Sequence, residues 1–296
     1  MRPIISSLCI LIILIGNNAN AYTQHLQVDV GGVKINVQAP VGFHEISELS
    51  PDTRKLAETM TPRNNRLLAV FVSEEDLGRI MKGDAPMLER YMFLQVLRKL
   101  ENSKISNAQF QQVVSRVKEQ QNLMHSKMKE IVSTFLESAS EKISTEYERS
   151  LEMKIGEPVP LGVFIEKPNA IGFASMVKYQ LEEEGEKLDH VVVGGSSIIL
   201  ARGKMLYAYV YSTYKDREDL NWVRLKSKEW VNSLLMSEIM STTTGGSYDN
   251  TWASGIDWEQ VISKAIGGGM AGGILVLIIG VFRGAQRLFI KKRNDL

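Results

Sequence analysis

The stretch that most constrains this chain runs from Val261 to Phe282 and reads VISKAIGGGMAGGILVLIIGVF. As a helix rising about 1.5 Å per residue it spans roughly 33 Å, enough to cross a bilayer core of ~30 Å. Its single charge, Lys264, lies near one end, where the ammonium can snorkel to the interface. Arg283, Arg287, Lys291, Lys292 and Arg293 follow at once. Such a cluster beside a span holds that side in the cytoplasm. The expected topology is therefore a single transmembrane helix over 261–282, a basic cytoplasmic anchor over 283–296, and an extracytoplasmic domain before them.

Six of the 22 residues in this run are glycine. Gly268 and Gly272 are four apart, as are Gly269 and Gly273, so small residues line one helix face. A second helix backbone can approach closely there, through self-association or pairing with another membrane protein. The plainer alternative is a simple anchor. Gly267-x-Gly269-x-x-Gly272 also matches the dinucleotide-binding fingerprint in form, but no strand precedes it and it lies inside the expected membrane span.

The N-terminus supports the same topology. Arg2, the apolar run Ile4–Ile15 and the small residues of Ala19-Asn20-Ala21 make a signal peptide over 1–21. An uncleaved anchor is the other reading. Cys9, the only cysteine, lies inside this segment, so the mature chain holds neither disulfide nor thiol nucleophile. About 240 residues remain between signal and span, enough for a domain with its own core. The absence of disulfides and of N-x-S/T sequons fits a bacterial periplasm, with the span in the inner membrane. Net charge is +1, and the cytoplasmic tail holds much of the basic excess, which argues against nucleic acid as a partner.

Within 22–240 the pattern predicts an α+β fold, an antiparallel sheet flanked by helices. Val28 and Val30 alternate before Gly31-Gly32, and Val33, Ile35 and Val37 alternate after it, which predicts a hairpin. Ser50-Pro51 starts a short helix toward Met60. Leu67–Val72 reads as a strand; Arg90–Arg98 reads as strand or helix. From Asn107 to about Arg149 apolar residues recur at helical spacing, giving a long amphipathic helix, or two with a break, and the heptad drifts around Glu119–Asn122. It covers a sheet or forms a coiled coil. Strands follow at 161–165, 172–179, 191–201 and 205–214, with a tight turn at Arg202-Gly203-Lys204. Tyr207, Tyr209 and Tyr211 then share one strand face. A helix from Asp219 to about Met236 precedes a polar linker over 241–260, and Trp252 and Trp258 are placed to sit at the membrane interface.

The opening strand, glycine turn and VKINVQAPVGF segment, with the terminal strand and the Trp222–Leu235 helix, resembles PsbP-like domains. The resemblance implies an antiparallel sheet between helices, used for binding or assembly rather than catalysis. The long 107–149 segment departs from that pattern.

Candidate chemistry is sparse. His25, His44, His125 and His190 form no metal-binding spacing, and no cofactor is expected. Ser115/Lys118 and Ser126/Lys129 match the S-x-x-K of Ser-Lys hydrolases, but such a lysine must be desolvated to act as a base. Arg63, Arg66, Arg90, Arg98 and Lys99 suggest a basic patch without a phosphate loop, and Glu182-Glu183-Glu184 suggests a hairpin tip. The expected function is a membrane-anchored, non-catalytic binding or assembly module. The rival is a periplasmic hydrolase whose site assembles from distant residues.

Overall fold

A computed structural model describes residues 25–239, apart from 48, 50, 83–87, 121–123, 148–149 and 184–185. The first half runs β1 His25–Val30, β2 Val33–Gln38, β3 Phe43–Glu45, α1 Pro51–Thr59, β4 Asn65–Ser73, α2 Glu74–Met81 and β5 Arg90–Leu97. After a short 3-10 turn come α3 Asn107–Gln120, α4 Met124–Tyr147, β6 Leu151–Ile155, β7 Val159–Lys167, β8 Ala170–Glu183, β9 Glu186–Ala201, β10 Lys204–Thr213 and α5 Arg217–Ile239.

Two tight turns set the strand register. Gly31 and Gly32 both have positive φ, at 54° and 79°, and Val30 pairs with Val33. Arg202 and Gly203 repeat the geometry at 49° and 73°, pairing Ala201 with Lys204. Two central residues of positive φ match the twist of the flanking strands, which is why glycine occupies three of these four positions.

The main sheet has the order β3-β4-β5-β10-β9-β8-β6, with β7 pairing along β8 as well. Every described strand pair is antiparallel. The expected α+β class, with its antiparallel sheet flanked by helices, is what the chain adopts. The central strand β10 is buried on both faces. Tyr207, Tyr209 and Tyr211 face a core shared with α1, α3 and α4, through residues such as Leu56, Phe110, Val113 and Leu136. Leu206, Ala208 and Val210 face the opposite core, closed by the β1–β2 hairpin and by Val223, Trp230 and Leu234 of α5. Trp230 is fully buried and meets Phe71 edge-on, with ring centroids 5.4 Å apart. Each such large apolar side chain contributes about 1.5–3 kcal/mol by leaving water.

The structure adds three elements to those expected. The expected helical segment over 107–149 is described as α3 and α4, and residues 121–123 between them lie outside the described residues. Unforeseen were α2, β3 and β6. The signal for α2 was present: Ser73 is its N-cap, accepting from Asp76 N at 3.1 Å, and the first turn is acidic. No helix among the described residues is long and apolar enough to cross a membrane. The 1–21, 241–260, 261–282 and 283–296 segments lie outside the described residues.

Candidate functional site

Alternation along four adjacent strands brings side chains from β5, β10, β9 and β8 into rows on the tyrosine face. One row reads Tyr91, Tyr211, Gly194, Ser175 across the sheet. Tyr91 and Tyr211 stack at 4.8 Å between centroids, 19° from parallel, and Phe93 meets Tyr211 edge-on at 5.7 Å. A side chain at position 194 would reach the Tyr211 ring at 3.3 Å. Glycine there leaves a notch, lined by Ser175, Tyr179, Val192, Ser196 and Tyr211. Its volume is about 10 Å³. That is the room needed by a single water, against roughly 300–1,000 Å³ for a small-molecule site.

Burial pushes the phenols of Tyr91, Tyr179 and Tyr211 up, and neighbouring tyrosines add to the effect at Tyr91 and Tyr211. They stay protonated at neutral pH, so none serves as a base there.

The next rows outward supply a polar rim. His190 pairs across the strands with Tyr179, and its Nε2 lies 3.1 Å from Thr213 Oγ1. Burial lowers the His190 pKa, with nearby Glu89 opposing, so the ring is neutral at pH 7. Lys215 Nζ donates to Glu89 at 2.7 Å. A hydroxyl beside a neutral imidazole is half of a hydrolytic nucleophile. The backbone amides flanking that hydroxyl are committed elsewhere: Thr213 N donates to Glu89 O and Tyr214 N to Val191 O, each at 2.9 Å. Neither can stabilise an oxyanion at Thr213.

On the other face of the same sheet end, Asp219 ties α5 to β5 and β10. Its carboxylate accepts from Lys215 N at 2.9 Å, Ser212 Oγ at 3.3 Å and Arg90 Nη2 at 3.4 Å. Burial alone would raise its pKa; the donors, backbone amides first, outweigh that and hold it below the ordinary value. The Arg90 guanidinium also lies 4.5 Å from the centre of the Trp222 ring.

Other sequence-derived candidates fall in scattered places. Ser115 and Lys118 are exposed on α3, and Lys118 pairs with Glu166 of β7, so this lysine is not desolvated. The side chains of Ser126, Lys129, His25 and His125 lie outside the described residues, as do Gly268, Gly269, Gly272, Gly273, Arg283, Arg287, Lys291, Lys292 and Arg293. Among the described residues no group of three or more His, Cys, Asp or Glu side chains could hold a metal. Arg63, Arg66, Arg98 and Lys99 do gather at one end of the sheet, whereas Arg90 belongs to the opposite end. The pairing of His190 with Thr213 was not foreseen, because it depends on strand order; the alternation of the β10 tyrosines was legible. The chain matches no family model and no curated protein sequence.

Proposed function

We propose that the chain is a membrane-anchored periplasmic binding or assembly module of a bacterial inner membrane, without catalytic activity of its own. In this reading the glycine-bearing helix over 261–282 pairs with itself or with another membrane protein. The observation that carries it is the apolar Val261–Phe282 run, with its small-residue faces at Gly268/Gly272 and Gly269/Gly273, followed directly by five cations. The signal-like N-terminus supports the orientation. At this end of the sheet the buried phenols held protonated and the committed amides around Thr213 favour the non-catalytic reading. The His190–Thr213 contact is the one observation favouring a hydrolase instead.

The test is purification of the tagged full-length chain in mild detergent, followed by native mass measurement. It is run beside Gly268→Ile, Gly269→Ile, Gly272→Ile and Gly273→Ile combined in one variant. The expected result is an oligomer, or a co-purifying membrane chain, that the variant loses. A monomeric, solitary wild type would overturn helix-mediated assembly. Ester hydrolysis abolished by Thr213→Val would replace the binding module with the hydrolase.

A further inference from the structure

The turns that close the lower end of the sheet come from four separate parts of the sequence: 29–34, 61–66, 98–104 and 202–204. They are brought together by direct contacts. Arg98 N donates to Asn64 O at 2.9 Å, Ile105 N to Gly203 O at 2.8 Å, and Arg202 to Lys34 O at 2.6 Å. These turns carry eight cationic residues against Asp29 and Glu101, a net charge of +6 in a chain whose total is +1. Two of the eight are not exposed. Arg66 bonds Asp29 O and pairs with Glu101 at 2.5 Å, and the buried Lys204 ammonium donates to Glu101 O at 2.8 Å. The other six, Lys34, Arg63, Arg98, Lys99, Lys104 and Arg202, are exposed. The opposite end mixes the two signs: the acidic first turn of α2 with Glu89, Asp216, Glu218 and Asp219 lies among Arg79, Arg90, Lys215 and Arg217.

The path of α5 says which end faces the tether. The helix starts beside Ser212 at the end of β10 and packs along β10, β9 and β2. Its 23 residues extend about 34 Å, close to the ~33 Å length of ten-residue β10. Its C-terminus is thus carried to the end where β10 begins, which is the basic end. From Ile239 only the 21 residues 240–260 separate it from the apolar run, a reach of at most about 70 Å.

We propose that this basic end rests on the anionic phospholipid headgroups of the membrane that anchors the chain. The inference depends on the membrane reading above and adds the surface through which the domain meets the bilayer. Six exposed cations on one face, drawn from four turns, form a broad field rather than a pocket, which suits a charged surface better than a single anion. Attraction of this kind decays within a Debye length of about 8 Å at physiological salt, so it acts only on a face held close to the bilayer.

The test uses the full chain reconstituted into vesicles of phosphatidylcholine alone and of phosphatidylcholine with phosphatidylglycerol. Hydrogen exchange is read at 98–104 and 202–204. The expected result is severalfold slower exchange with the anionic lipid, reversed by high salt and absent in a Lys34→Glu, Arg63→Glu, Lys99→Glu variant. Unchanged exchange within β10 shows that the variant is folded. Equal exchange in the two vesicle types overturns the proposal, as does slowing that survives salt or the substitutions. Slowing that requires a co-purified protein assigns the surface to that protein and likewise overturns it. Release of the chain by alkaline wash from both vesicle types is a separate readout, and it overturns the membrane reading itself.

Discussion

His190 is buried beside Tyr179 and hydrogen-bonded to Thr213, with Glu89, itself paired to Lys215, as the charged group acting on it. Its pKa lies below the ordinary 6.5, so over the interval just under 6.5 the unfolded chain binds a proton that the folded one does not. Stability is therefore full above pH 6.5 and declines as pH falls through the folded pKa. A His190→Gln variant removes this component. As the pH falls below 6.5 the full-length wild type should lose Tm more steeply than the variant; parallel profiles would contradict the assignment. From sequence His190 was one of four unclustered histidines. Its partner, Thr213, is 23 positions away, and only the pairing of β9 with β10 puts the two side chains on one face.

At the scale of elements, α4 and β6 solve an edge problem together. β6 forms an end of the sheet, and an unpaired edge presents bare N–H and C=O groups. Ser140 and Ser144, one helical turn apart on α4, accept from Met153 N and Leu151 N, each at 3.0 Å. The helix thus supplies part of the hydrogen bonding that another strand would otherwise provide. Replacing both serines with alanine strands two amides, at about 1–3 kcal/mol for each that is shut away from water. The expected outcome is a lower Tm and faster exchange at Leu151 and Met153, with β10 unchanged; protected amides at those two positions would contradict it. The helical spacing of α4 was legible in its apolar residues. The role of its serines was not, because serine on a polar-looking face gives no sign of which backbone group it will meet.

Across the whole molecule, the hairpin β1–β2 is a separate two-stranded sheet seated on the main one. Its seating depends on Gly31 more than on Gly32. A Cβ at Gly31 would lie 2.1 Å from Glu101 O, whereas at Gly32 nothing lies within 4 Å. Both have positive φ, so either alanine costs about 1–2 kcal/mol in backbone strain. Gly31→Ala should cost a further ~1–3 kcal/mol by displacing the hairpin from the body. Denaturant unfolding of the two full-length variants compares them, and equal midpoints would show that the contact with Glu101 is unimportant. The sequence by itself determined the periodicities: the glycine turns, most of the strands, the helical stripes and the apolar run near the end. Each depends on neighbours within a few positions, where backbone geometry links side-chain spacing directly to a face. Only the tertiary structure decided which faces meet. Strand order placed the stacked tyrosines beside Gly194, joined His190 to Thr213, and gathered cations from four turns at the end where α5 finishes. Those relations join residues tens to hundreds of positions apart, and burial selects them by pairing whole surfaces rather than by any local rule.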